Sequence, residues 1–347
     1  MRIEQLTFTR FIAAIAIVVF HFGRESQLFS NDYVSFIFNN ANIGVSYFFV
    51  LSGFVMIIAY RNRTVSFFNY LKNRFARIYP VYFLAILLFI VIQSFGSLNK
   101  ADVFLNVTML QSWFSGKAQT INYPGWSLSV ELFFYVSFPF LLNYIYSKKN
   151  LKSITSIILG FWLLSQLLFH GIIYDVITIP YYSVDDLFYH PILHFNEFLI
   201  GNLAGLYFVK RKDSSSDKNY LPQIAVLFLG FLALLKFQIG INFHNGFLAV
   251  VFVPIIFLLS GSNDIVSRFI SKKPFVFLGE VSYSIYILQV PIWLLLTDYR
   301  MEKYFGVNKE LDVTASFLIR LFILIVFSSL CYLYFEKPLR KKIKNYF

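Results

Sequence analysis

The chain has 347 residues, of which 58% are hydrophobic, 20% aromatic and 14% charged, with a formal net charge of +12. Soluble domains are roughly 25% charged, so this composition excludes disorder and argues against a soluble enzyme. The mean hydropathy of +0.64 and 44 Phe spread along the whole length point to a polytopic membrane protein. Cys331 is the one cysteine, so no intrachain disulfide, CxxC pair or thiolate zinc cluster can form.

A bilayer core of about 30 Å needs roughly 20 apolar residues per helix. That ruler predicts an all-α bundle of about ten transmembrane helices, near 5–23, 42–60, 78–95, 126–146, 153–172, 190–209, 220–239, 246–261, 275–297 and 314–336. The first resembles a secretory signal, but Arg10 interrupts it and no small-residue cleavage site follows Phe22, so it is read as retained. Lys and Arg concentrate in cytoplasmic loops of membrane proteins. With the N-terminus inside, the inner flanks hold 21 of the 30 basic residues and the outer flanks hold eight. Both termini are therefore expected in the cytoplasm, and the basic excess is topological rather than a nucleic-acid signature. No connection exceeds the stretch between Phe95 and Trp126, so residues 1–347 are expected to form one integral membrane domain without a separate soluble one.

An ionisable group inside a membrane helix costs about 2.5 to 3.5 kcal/mol on insertion scales, which makes each one a functional candidate. In the first helix Arg10 and His21 are eleven residues apart, three turns plus about 20°, so they share a face about 16 Å apart along the axis. A guanidinium suits phosphate or carboxylate, and a neutral imidazole can take a proton from a hydroxyl. In the second helix Ser52 and Gly53 permit close approach of another helix or of a ligand. Before the third, Arg74 and Arg77 share a helical face ahead of Ile78-Tyr79-Pro80; they read as an anchor at the cytoplasmic surface or as a site for the phosphates of a nucleotide donor.

The fourth helix opens Trp126-Ser127-Leu128-Ser129-Val130-Glu131. Trp126 is an interfacial aromatic, and Glu131 is expected at the depth of His21, where it would orient the imidazole, carry a proton or pair with another helix. In the sixth, His190, His194 and Glu197 share a face but lack the HExxH arrangement and an evident fourth ligand, and no metal is expected. The ninth carries Glu280, expected as the counter-ion of Arg10, and a stripe of Ser282, Tyr286 and Gln289 that reads as interhelical glue or as a cavity wall.

Taken in order, these segments resemble the acyltransferase 3 family of integral membrane O-acyltransferases that modify cell-surface sugars. The likeness is carried by Arg10-x10-His21, by Phe-Phe-Val-Leu-Ser52-Gly53-Phe54, by Arg74-Phe-Ala-Arg77-Ile-Tyr79-Pro80 and by Trp126-Ser127-Leu128 with Glu131. It continues through Glu197-Phe198 with Gly201 and Gly205, Ser282-Tyr283-Ser284 and Glu336-Lys337-Pro338, so it spans essentially the whole chain. Two positions depart from the family pattern: His194 stands where Arg is common, and Gln289 where His is frequent. The chain stops soon after its tenth span, unlike members fused to an esterase-like domain, so its reaction is expected to need no such domain or to use a separate partner.

The resemblance implies transfer of an acyl group, acetyl in the first instance, from cytoplasmic acyl-CoA to a hydroxyl of a surface polysaccharide or glycolipid in a bacterial cytoplasmic membrane, with no metal. Arg10, Arg74 and Arg77 would hold the donor, with Ser52, Tyr79 and Trp126 also binding substrate. Glu280, Ser282 and Tyr283 would line the path of the donor's arm. His21 would act as general base or as covalent acyl carrier, with Glu131 beside it. The rival reading is a transporter or flippase in which the same charges relay protons or bind a translocated anion. No internal repeat supports it.

Overall fold

The computed structural model describes residues 3–60, 63–94, 98–180, 183–211, 218–237, 239–308 and 312–346. Arg2, Arg61, Lys212, Lys309 and Glu310 among the flanking charges lie outside the described residues, as does the side chain of Asp185. Apart from one isolated bridge between Lys218 and Ser262, the described residues form no strand, and the fold is a helical polytopic bundle.

Ten long helices follow one another: α1 Gln5–Phe22, α2 Gly44–Tyr60, α3 Phe67–Gln93, α4 Trp126–Phe140, α5 Leu151–Ile173, α6 Pro191–Arg211, α7 Leu221–Lys236, α8 Ala249–Gly261, α9 Lys273–Leu295 and α10 Val313–Cys331. A π-helical turn, Tyr332–Glu336, leads from α10 into α11, Lys337–Tyr346. Eight of the ten are long and apolar enough to cross a membrane. The expectation of ten spans is met less fully by α7 and α8, whose 16 and 13 residues reach only about 24 and 20 Å. The third helix begins eleven residues before the predicted boundary, because Pro80 does not break it.

Hydrogen bonds between connections sort the helix ends into two groups. At one end, Gln5 Nε2 donates to the Leu259 carbonyl (3.0 Å), Val65 N to Asn143 Oδ1 (3.1 Å), Tyr220 N to Ser262 Oγ (3.2 Å) and Lys72 Nζ to the Lys344 carbonyl (3.5 Å). At the other, Gln27 N donates to Thr314 Oγ1 (3.1 Å), Asn42 Nδ2 to His244 Nε2 (2.8 Å) and Tyr174 OH to the Gly240 carbonyl (2.5 Å). Successive helices thus alternate in direction, α7 and α8 included. The first group of ends carries Lys72, Arg74, Arg77, Arg340 and Lys344 and is the basic end.

Two glycine contacts set how closely the inner helices approach. A Cβ on Gly53 would lie 2.1 Å from the Phe198 carbonyl oxygen, and one on Gly201 would lie 2.0 Å from that of Val50, so α2 and α6 touch backbone to backbone. Likewise a Cβ on Gly279 would lie 1.9 Å from the Thr7 carbonyl oxygen, which seats α9 directly on α1. Five helices, α1, α2, α3, α4 and α9, surround one cavity.

Candidate active site

The cavity, of about 200 Å³, receives Arg10 from α1, Ser52 from α2, Arg74 and Arg77 from α3, Glu131 and Tyr135 from α4, and Ser282, Tyr283 and Tyr286 from α9. Eight residues singled out by sequence therefore share one wall system: Arg10, Ser52, Arg74, Arg77, Glu131, Ser282, Tyr283 and Tyr286.

The three arginines are not equivalent. Arg74 lies among three tyrosine rings, with its guanidinium 5.3, 5.4 and 5.8 Å from the ring centres of Tyr60, Tyr70 and Tyr135, and it donates to Tyr60 OH at 2.8 Å. Such cation–π contacts hold the head group in place. Arg10 and Arg77 form no ion pair or hydrogen bond with the described residues, and their head-group nitrogens are not sealed away. The charges that act on Arg10 are Arg77, Glu131 and Glu336. Arg340 and Lys344 of α11 extend the same basic cluster toward the end of the bundle, within electrostatic reach of Arg74 and Arg77.

Glu131 accepts a short hydrogen bond from Tyr135 OH, one turn along α4, and a longer one from Ser52 Oγ (3.4 Å). It is on the Arg10 side of the bundle rather than beside His21. Glu131 and His21 do not share a depth, because the chain is already deep when α4 begins. Asn122 Nδ2 donates to the Ile287 carbonyl (3.0 Å) and Tyr286 OH to the Pro124 carbonyl (3.1 Å), so residues 122–124 stand at the level of α9 where His21 is also found. Seven residues more carry Glu131 about 10 Å past that level.

Glu280 also differs from the expectation. Gly279 faces α1, so Glu280, turned about 100° further round α9, points toward the π turn and accepts a hydrogen bond from Tyr332 OH at 2.8 Å. It does not line the cavity, and the carboxylates nearest in effect to Arg10 are Glu131 and Glu336. Glu336 is buried and accepts from Ser284 Oγ at 2.9 Å. Ser282 and Tyr283 do line the cavity; Tyr283 OH donates to the Ile78 carbonyl (2.5 Å), tying α9 to α3.

His21 lies beyond the far end of the cavity. Its Nδ1 is 2.7 Å from Gln289 Oε1, and its ring meets the Tyr123 ring edge-on at 4.8 Å. On α9, Tyr286 lines the cavity one turn before Gln289, and its hydroxyl bonds to Ser127 Oγ (3.0 Å). The cavity that Arg10 lines does not include His21, so the anticipated polar path between them is not continuous. Tyr79 and Trp126 are outside the cavity as well. Tyr79 stacks on Phe75 and donates to the Val107 carbonyl (3.2 Å), while Trp126 packs on Phe49, Tyr189 and His194.

His194 is buried with both ring nitrogens engaged, Nδ1 with Glu197 Oε2 and Nε2 with the Phe188 carbonyl, each at 2.8 Å. No group of three or more His, Cys, Asp or Glu side chains able to hold a metal is found among the described residues. Gln289 as the partner of His21 and the tyrosines around Arg74 were not anticipated. Tyr135 and Tyr70 were detectable, being four residues after Glu131 and four residues before Arg74, whereas Tyr60 comes from α2 and left no local signal.

A family model for an acyltransferase domain, acyltransferase 3, matches residues 3–336. The chain belongs to the acyltransferase 3 family. Among curated relatives, the O-acetyltransferase OatA of Staphylococcus aureus is 22% identical over 96% of this chain and 56% of its own length. The peptidoglycan O-acetyltransferase OatA of Listeria monocytogenes is 25% identical over 97% of this chain and 57% of its own. The acyltransferase MdmB of Streptomyces mycarofaciens is 32% identical over a shorter stretch, 40% of this chain and 39% of its own length. The chain thus spans a little over half the length of the two OatA relatives. No solved structure matches it.

Proposed function

We propose that this chain is a multi-pass O-acetyltransferase of a bacterial cytoplasmic membrane, taking its acetyl group from acetyl-CoA at the basic end and delivering it to a sugar hydroxyl of a cell-wall or surface glycan at the other. The observation that carries this reading is a cavity holding two guanidinium groups without partners among the described residues, Arg10 and Arg77, in the same bundle that presents His21 beyond the cavity. Unpaired cations lining one cavity favour an anionic ligand, and the phosphates of acetyl-CoA supply it. Family membership and the names of the relatives supply the reaction class and the carbohydrate acceptor.

In this reading Arg77 and Arg10, with Arg340 and Lys344 at the entrance, hold the phosphates, and the thioester arm runs toward His21. His21 takes the proton of the acceptor hydroxyl while its oxygen attacks the acetyl carbonyl. The carbon–sulfur bond then breaks, and the thiolate recovers the proton, giving an ester and a free thiol. A positioned base contributes about 10² to 10⁴ in rate. The excess of Lys and Arg in its loops supports a cytoplasmic position for the basic end and both termini, and eight or ten crossings agree with termini on one side.

The test is acetyl transfer by purified protein in detergent, given labelled acetyl-CoA and a glycan acceptor such as peptidoglycan fragments. Product is expected without a sealed compartment, and His21→Ala is expected to abolish it at normal protein yield. Product formation by His21→Ala would remove the assigned role. Movement of substrate that occurs only in sealed vesicles, with no acetylated product, would mark a transporter instead.

A further inference from the structure

We infer that Gln289 is a positioning residue that holds His21 with its proton on Nδ1, so that Nε2 is the nitrogen left to receive the acceptor's proton. The inference rests on the acyl-transfer reading for its kinetic consequence, but the hydrogen-bond geometry stands by itself. Gln289 is fully buried on α9. Its amide nitrogen Nε2 is 2.6 Å from the Tyr286 carbonyl oxygen, and its Oε1 is 2.7 Å from His21 Nδ1. A carbonyl oxygen only accepts, so the NH₂ of Gln289 must face it. Turning the amide over would set two carbonyl oxygens 2.6 Å apart with no proton between them. The amide oxygen therefore faces His21, and because it too only accepts, Nδ1 must be the donor. In a neutral imidazole the second nitrogen then carries the lone pair.

That second nitrogen is free to act. Nε2 of His21 has no hydrogen-bond partner among the described residues and is not among the buried unpartnered atoms, so a hydroxyl can approach it. Glu131, the side chain first expected to orient the imidazole, is instead engaged by Tyr135 and Ser52. Gln289 performs that orientation with a neutral group, and the replacement of the family's frequent His at this position therefore keeps an acceptor facing Nδ1. During transfer the acceptor's proton moves to Nε2 as the new C–O bond forms. The Gln289 oxygen continues to accept from Nδ1–H throughout, and the proton on Nε2 passes to the departing thiolate as the C–S bond breaks.

The experiment combines nitrogen-15 NMR of histidine-labelled protein, with His21 assigned by its loss in His21→Gln, and steady-state kinetics of Gln289→Met and Gln289→Glu. At neutral pH the parent is expected to show Nδ1 protonated and Nε2 bare; a parent His21 protonated on Nε2 would overturn the inference without any activity measurement. Met fills the space without an amide oxygen, so Gln289→Met is expected to lose the fixed tautomer and about 10² to 10⁴ in kcat, with KM for acetyl-CoA within about threefold. Gln289→Glu, with its second carboxyl oxygen protonated toward the Tyr286 carbonyl, keeps an acceptor toward Nδ1 and is expected to recover most of that loss. Unchanged kcat in a folded Gln289→Met, or equal loss in Met and Glu with the NMR signature preserved in both, would show that Gln289 serves packing alone. Absence of acetyl transfer by the parent would count against the functional reading, while the NMR result would still decide the tautomer.

Discussion

Replacing Gly53 by Ala tests the packing of α2 against α6. The added Cβ would meet the Phe198 carbonyl oxygen at 2.1 Å and the Asn202 nitrogen at 2.9 Å, where ordinary contact begins near 3.4 Å. Both obstacles are backbone, so no side chain can turn away and α2 must separate from α6 by about 1 Å. Overpacking of this kind costs about 1–3 kcal/mol when neighbours yield, and a rigid neighbour puts the expected loss at the upper end, about 3 kcal/mol. At about 2 °C per kcal/mol for a chain of this size, thermal unfolding in detergent, followed by tryptophan fluorescence, should fall by about 6 °C. Gly201→Ala, whose Cβ would lie 2.0 Å from the Val50 carbonyl oxygen, should behave alike. The control is Gly160→Ala on α5, where nothing lies within 4 Å; there the better helix propensity of Ala is worth up to about 1 kcal/mol, and the midpoint should hold or rise by about 2 °C. A Gly53→Ala protein that melts at or above the parent temperature would refute the backbone-to-backbone contact and, with it, the account of how Ser52 is held against Glu131.

Arg77→Ala removes a like charge beside Arg10, so the ligand-free protein should melt at the parent temperature or slightly above it. The stabilisation by acetyl-CoA, about 2.7 kcal/mol for the parent at one hundred times its Kd, should shrink, and an undiminished thermal shift would speak against anion binding at this cation. In the connection between α7 and α8, burial first and the neighbouring His194 second push His244 down to about 4 from 6.5. It is held neutral by donating from Nδ1 to Asn242 Oδ1 (2.9 Å) and accepting at Nε2 from Asn42. The unfolded chain therefore binds this proton more readily between about pH 6.5 and 4. Stability should decline as pH falls through that window, by up to about 1.4 kcal/mol per pH unit, and level off below it. Melting curves across that range should show a smaller slope for His244→Gln, and identical slopes would exclude the histidine as the source.

What could be read along the chain was whatever depends on neighbours a few residues away. Apolar runs and the 3.6-residue period marked the helices, the Arg10 and His21 register and the Arg74 and Arg77 pair, and the ordered motifs pointed to the family that the chain belongs to. The basic loops also foreshadowed a single basic end. Relations between helices were another matter. Two residues equally far from a predicted boundary, such as His21 and Glu131, were assumed to share a depth, but depth depends on where each helix enters the bundle. Residues 122–125 begin their descent before α4 does, which separates Glu131 from His21.

Sequence by itself therefore determined a helical membrane protein, its family, and the residue types available for chemistry, because hydrophobic periodicity and charge are local properties of the chain. Tertiary structure alone decided that Arg74 is enclosed by tyrosines while Arg77 has no partner among the described residues, that Glu280 turns away from Arg10, and that His21 pairs with Gln289. Each of those outcomes depends on the rotation and depth of one helix against another, and these are set by glycine contacts such as Gly279 on Thr7, between segments far apart along the chain.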